Sequence, residues 1–367
     1  MNTLGELTDR TGCDLSESNT RIENGRPSAR LTPPPPTTKL KDVSMYNKFK
    51  VAVAQAGSIF GDTAATVSKL TRMTQEASAA GAKLVLFPEV FIGGYPRGED
   101  FGSRVGGRTP RGRDAYRRYW EGAIDVPGTE VKRISEVARI QKIYLVTGVL
   151  ERDGGTVYCA VLFFGPDGRL LGKHRKLMPT GAERLVWGFG DGSTMPVIDT
   201  EVGKIGAVVC WENFMPLMRF HMYAQGVQLY LAPTADNSPL WAASMQHIAR
   251  EGGCYVLSCN QYTTLADFPD DHHRADGAGP DTVLSNGGSC IVAPSGDFLV
   301  PPTSDGEGLF YADLDLGEIA RWKFDFDVVG HYARPDIFRL GVNTDPMPVR
   351  TTTIGAVNES PRGRIAP

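Results

Sequence analysis

The sequence predicts an α/β fold, with mixed sheets covered by helices, and two observations carry that prediction. From residue 49 to about 260, short β-branched runs alternate with amphipathic stretches of helical period. After that, strands paired through turn residues dominate. No linker and no internal repeat interrupts residues 46–345, so one large domain is the simplest account.

The elements follow in order. "KFKVAVAQA" supplies a strand over 49–56. Asp62 caps a helix whose apolar stripe runs through Val67, Leu70, Met73 and Ala77 and which ends near Gly81. "KLVLFPE" is a short buried strand carrying Glu89 at its end. A helix over 129–140 leads into "KIYLVTGVL". "TVYCAVLFFG" and "GRLLGKHRKL" form a hairpin around Pro166-Asp167-Gly168-Arg169. "GKIGAVVC" precedes a helix near 215–225, "VQLYLAP" is a strand, and 238–251 is helical. Strands at 254–260, 288–293, 297–301 and 308–314 complete the set. Residues 1–45, ending in "LTPPPPTTKLKD", are polar and proline-rich and read as a disordered arm, and 346–367 read as a flexible tail.

Composition narrows the function. A formal net charge of −3 over 367 residues gives no electrostatic reason for a nucleic-acid or membrane partner. No apolar run approaches a membrane span, and the acidic start lacks a secretory core segment, so the expectation is a cytoplasmic protein. Six cysteines are then free thiols rather than disulfides. None pairs at zinc-ligand spacing, and Asp271-His272-His273 reads as a solvated turn. "GFGDGS" lacks the lysine of a phosphate loop, so no cofactor or metal is expected.

The cysteines differ in context. Cys13 lies in the amino-terminal arm, and Cys159, Cys254, Cys259 and Cys290 lie within or at the start of apolar runs that read as buried strands. Cys210 instead closes "IGAVVC", where a strand gives way to polar Trp211, Glu212 and Asn213. A thiol attacks carbon as thiolate and needs a base or a cation beside it. No histidine offers a convincing partner, His221 on the following helix included. Glu89 and Lys176 each end a strand, and Glu183 follows seven residues after the lysine. If these strand ends converge at one sheet edge, Glu89 takes the thiol proton and Lys176 balances the anion that develops on the substrate. Taken singly, each has a plainer reading: a surface carboxylate, a solvated basic cluster, a small buried hydrophobe.

Three motifs lift the set above those readings. "LVLFPEVFIGGYPRG", "GKHRKLMPTGAERLVWGFGDGS" and "IGAVVCWENFMPL" together resemble the nitrilase branch of the carbon–nitrogen hydrolase superfamily, from about residue 50 to about 340. The resemblance implies a four-layer αββα sandwich that dimerises and often assembles further into spiral filaments. It implies Glu89 as general base, Lys176 as stabiliser of the developing anion, Cys210 as nucleophile and Glu183 as the second glutamate that orients the lysine. It further implies Tyr95, Trp187, Trp211 and the segment 234–241 near the pocket mouth. The implied substrate is a small organic nitrile of aryl or arylacetonitrile type, the alternative being an aliphatic amidase or carbamoylase of the same superfamily.

Overall fold

A computed structural model describes residues 48–347, except 270, 271 and 273–276. The expected arm over 1–45, Cys13 and almost all of the expected tail lie outside the described residues. The first half runs β1 (Lys48–Gln55), α1 (Thr63–Ala79), β2 (Ala82–Leu86), α2 (Pro110–Glu121), β3 (Ile124–Asp125), α3 (Thr129–Gln141) and β4 (Tyr144–Asp153). It continues through β5 (Thr156–Phe164), β6 (Leu170–Arg175), β7 (Val197–Thr200), β8 (Gly203–Ala207), α4 (Pro216–Ala224) and β9 (Leu229–Thr234). Then come α5 (Leu240–Gly252), β10 (Tyr255–Asn260), β11 (Tyr262–Thr264), β12 (Val283–Asn286), β13 (Cys290–Val292), β14 (Phe298–Val300), β15 (Gly308–Asp315) and α6 (Gly317–Asp325).

Two sheets organise these elements. One is ordered β15-β1-β2-β4-β5-β6, with β3 beside β4, and the other β14-β13-β10-β9-β8-β7. Each has a parallel centre, β1-β2-β4 and β8-β9-β10, flanked by antiparallel strands, as alternation followed by hairpins requires. Both faces of the parallel strands are covered, so they read as unbroken apolar runs. Three packed clusters define the layers. Val51, Leu84, Val146, Val161, Ile205, Leu231 and Leu257 join sheet to sheet. Leu70, Ile134 and Ile143 pack α1 and α3 on the outer face of the first sheet. Met222, Trp241, Met245 and Ile248 pack α4 and α5 on the second. The order of layers is therefore helix, sheet, sheet, helix.

Several elements were not foreseen. α2 carries Arg111, Arg113, Asp114, Arg117, Arg118 and Glu121 and buries only Gly112 and Tyr119, too narrow a stripe to register as a core-facing helix. α6 buries only Gly317 and Ile319, and β7 has no fully buried residue. Asp62 does cap α1, its carboxylate accepting from Ala65 N at 2.8 Å. His272 turns inward, Nδ1 lying 2.7 Å from Glu99 Oε1, so it is not the solvated turn residue expected, whereas Asp271 and His273 fall outside the described residues. No helix among the described residues is long and apolar enough to cross a membrane.

The loop after β2 is stitched onto β4. Phe87 N donates to Val146 O, Gly148 N to Pro88 O and Ile92 N to Gly148 O, at 2.9, 3.1 and 3.1 Å. A Cβ at position 148 would stand 2.3 Å from Pro88 O and 2.4 Å from Val90 N, so glycine alone lets the segment bearing Glu89 lie this close. Gly148→Ala is expected to lower unfolding free energy by about 1–3 kcal/mol and to reduce turnover, because the overpacked loop displaces Glu89. Denaturant unfolding and kcat measured together check this, and wild-type values for both would contradict it.

Candidate active site

Alternation along β6 decides which of its basic residues enter the protein. Lys173 and Arg175 lean outward to one carboxylate, with Lys173 Nζ 2.5 Å from Glu151 Oε1 and Arg175 Nε 2.7 Å from Glu151 Oε2. His174, and Lys176 just past the strand end, take the opposite face and are fully buried. The cluster "KHRK" is thus half ion pairs closed on the buried Glu151 carboxylate and half interior, which the solvated reading did not anticipate.

Lys176 ends between two carboxylates. Its Nζ donates to Glu89 Oε1 and to Glu183 Oε2, both at 2.7 Å, and packs over the Trp187 ring at 5.4 Å from the centroid. Burial works against the ammonium, but the charge of Glu89 leads the effects that hold Lys176 well above its ordinary value. Burial likewise pushes Glu89 up, with Lys176 opposing it. Glu183 is fixed twice more: Thr180 N donates to Oε2 and Tyr95 Oη to Oε1, each at 2.7 Å. An ammonium has three donors, and the carboxylates of Glu89 and Glu183 take two of them.

Cys210 arrives from the other sheet. It lies past the end of β8, buried, with φ of +50°. Val90, next to Glu89, has φ of +47°. A left-handed conformation at non-glycine residues costs about 1–3 kcal/mol each and persists only where the surroundings enforce it. Thr234 Oγ1, at the end of β9, donates to Cys210 Sγ at 3.3 Å. Burial and the Glu89 charge push the thiol up to about 12, while Lys176 and the Thr234 hydroxyl pull against them. The three charged groups and the thiol therefore share one buried electrostatic environment. They meet between the two sheets rather than at one sheet edge, because the carboxylates and lysine belong to the first sheet and the cysteine to the second.

Glu212, which sequence reasoning passed over, holds the elbow. Its Oε2 accepts from Val209 N at 2.8 Å and Oε1 from Leu177 N at 2.5 Å, tying the Cys210 turn to the residue after Lys176. His174 Nε2 lies 3.0 Å from Glu212 Oε2 and its Nδ1 2.6 Å from Thr194 O. Asn213 Nδ2 donates to Val208 O and Cys210 O at 2.9 and 2.7 Å. Gln261 Nε2 donates to Glu89 O at 2.7 Å. The one available signal for Glu212 was its place two residues after the cysteine, in the turn it closes.

These residues sit inside a recognised sequence family. The carbon–nitrogen hydrolase profile matches residues 50–324. The bifunctional nitrilase/nitrile hydratase NIT4A of Lupinus angustifolius is 56% identical over 315 residues, covering 83% of this chain and 90% of that protein. Nitrilase blr3397 of Bradyrhizobium diazoefficiens is 51% identical over 318 residues, covering 87% and 99%. The chain belongs to the nitrilases of the carbon–nitrogen hydrolase superfamily. Solved structures share its fold, an αββα sandwich: Saccharomyces cerevisiae Nit3 at TM-score 0.60 and 24% identity, covering 78% of this nitrilase and 96% of that chain. A carbon–nitrogen hydrolase from Helicobacter pylori aligns at TM-score 0.62 and 21% identity, covering 79% and 97%.

The aromatic residues expected at the nitrilase pocket mouth separate. Trp187 is 2% exposed and lies under the lysine, its Nε1 donating to Tyr119 Oη at 3.1 Å, so it is packed behind the charges rather than at an opening. Tyr95 is half-buried, edge-on to Trp187 at 5.8 Å. Trp211 is 51% exposed, its Nε1 donating to Asp236 Oδ2 at 2.8 Å, and Phe214 lies beside it. A cavity of about 530 Å³ lined by Phe60, Phe101, Arg118 and Tyr119 has none of Glu89, Lys176, Glu183 and Cys210 in its lining.

The Glu212–His174 pair has a pH signature. Burial alone would depress His174, but the charge and hydrogen bond of Glu212 and the Thr194 carbonyl hold it above its ordinary 6.5. A raised histidine contributes stability fully below its unfolded value and loses that contribution as pH rises through its folded value. Glu212→Gln should cost about 3–5 kcal/mol and flatten this loss relative to wild type, as read by denaturant unfolding across pH. An unchanged slope would contradict the assignment.

Proposed function

We propose that this nitrilase converts an organic nitrile to the carboxylic acid and ammonia through a thioester on Cys210, with amide as a second product. The observation that carries this reading is the buried ammonium of Lys176, shared by Glu89 and Glu183 within electrostatic reach of a strained, buried thiol. Glu89 takes the Cys210 proton as the sulfur adds to the nitrile carbon, and returns it to the nitrogen, giving a thioimidate. Water activated by Glu89 adds next. The tetrahedral centre is stabilised by the remaining Lys176 donor and the Trp211 backbone N–H. Ammonia leaves, and a second water releases the acid. Expulsion of sulfur instead of ammonia gives the amide, in keeping with the two activities named for the lupin relative.

The substrate class we infer is aryl or arylacetonitrile. Support comes from exposed Trp211 and Phe214 at the nucleophile turn, which offer ring faces to an aromatic group. An aliphatic amidase or carbamoylase would use the same four groups on a carbonyl. Ammonia, acid and amide quantified from phenylacetonitrile, benzonitrile, aliphatic dinitriles and cyanide, against the matching amides, separate these readings. Turnover of nitriles with aromatic preference is expected. Cys210→Ala should abolish it with the fold intact, and Lys176→Ala should lower kcat by about 10²–10³. Release of ammonia from amides alone would overturn the reading.

A further inference from the structure

The two oxygens of Glu89 are not equivalent. Oε1 accepts from Lys176 Nζ at 2.7 Å and from the Cys159 thiol at 3.6 Å. Oε2 is buried and has no hydrogen-bond partner among the described residues. An unpaired, buried carboxylate oxygen is costly unless it has work to do, and a base needs one free lone pair. Left to Lys176 alone, the carboxyl could turn about its terminal bond, a soft twofold rotation, and exchange the two atoms.

Cys159 lies in β5, 1% exposed, and was read from sequence as a plain core residue. Burial, followed by the Glu89 charge, holds its thiol well above the ordinary value, so it keeps the proton that it donates to Oε1. Its backbone carbonyl also accepts from Lys176 N at 2.8 Å. One residue thus grips the carboxylate through its side chain and the lysine through its main chain. Cys254 and Cys290, equally buried, have no contact with these groups in any hydrogen bond described.

We propose that Cys159 is a positioning residue: its thiol fixes Oε1 of Glu89, reserves Oε2 for proton transfer, and thereby sets the ratio of acid to amide. The proposal rests on the nitrilase reading above. In the tetrahedral oxyanion, Glu89 gives the proton it took from water to the amino nitrogen as the C–N bond breaks and the oxyanion closes to a carbonyl. Ammonia and the thioester result, and Glu89 is left as the carboxylate that activates the second water. When that delivery is misaligned, the C–S bond breaks instead. Sulfur leaves with the electron pair and takes the proton held on Glu89, and amide is released with the thiol and the carboxylate restored. The groups facing the carboxylate are Lys176, Glu183 and Cys210 together with Cys159, while Tyr95 and Tyr119 feel its charge.

The test compares wild type, Cys159→Ala, Cys159→Ser and Cys290→Ala on phenylacetonitrile, with ammonia, acid and amide followed across pH. Absence of nitrile turnover in wild type would defeat the nitrilase reading itself and so is distinct from failure here. With the donor removed, the amide share should rise about threefold, within the range an ordinary hydrogen bond commands. The acid limb of kcat/KM should move up by about half a pH unit, since a carboxylate that loses a donor holds its proton more tightly. Cys159→Ser should restore both, and Cys290→Ala should leave both at wild-type values. If Cys159→Ala does not fold, Cys159→Val removes the donor while filling the space and gives the same comparison. A wild-type product ratio and pH profile in the donor-free variant, or a serine variant that behaves like alanine, overturns the proposal.

Discussion

An ammonium wholly excluded from water sits 2.7 Å from each of two carboxylates, and the rest of this site takes its form from that arrangement. With the thiol protonated, Glu89, Lys176 and Glu183 sum to one negative charge. Moving a proton from Cys210 to Glu89 brings those three to zero and leaves the total, thiolate included, at one negative charge, so the step changes no net charge in a medium where isolated charge is expensive. Burial raises both the carboxyl and the thiol, favouring the neutral form of each, and the Lys176 charge opposes it at both. The lysine supplies the positive pole that an exposed thiol would draw from solvent.

Holding four such groups in place demands a rigid frame. The two parallel sheet centres deliver Glu89 and Cys210 from opposing layers, and the β5–β6 hairpin delivers Lys176 across the same interior. Strain gathers at the delivery points, Val90 and Cys210, where the chain leaves its strand in a left-handed turn. Glu212 offsets part of this by accepting from backbone on both sides of the interface, and Asn213 holds the carbonyls behind the elbow. Functional groups and their supports thus come from the same short segments, so each motif is long.

Much of this was legible in the sequence. Apolar runs and the Pro166–Arg169 turn located nearly every core strand, because burial on both faces writes itself as unbroken hydrophobicity. Isolated charges at strand ends marked Glu89, Lys176 and Cys210 as unusual, and motif context joined them to Glu183. What stayed hidden depends on which way side chains point across long separations. Cys159 looked like any β-strand cysteine until Glu89, seventy positions away, was seen beside it. Glu212 is an ordinary carboxylate by composition and gains meaning only from the two backbone N–H groups it reaches. Trp187 was expected at an opening and lies beneath the lysine instead, since one sequence does not say which face of a loop turns inward. α2 was missed because its charged surface hides a narrow buried stripe.

The central claim, that Lys176 and its carboxylates make Cys210 chemically different from the other thiols, is open to a test that needs no substrate. Native protein would be exposed to iodoacetamide, and the labelling rate of each cysteine followed by peptide mass mapping in wild type and Lys176→Met. Among the five cysteines of the described residues Cys210 should label first, and its rate should fall at least about tenfold when the ammonium is removed, with Cys254, Cys259 and Cys290 unchanged. Equal labelling of Cys210 in the two proteins would contradict the account.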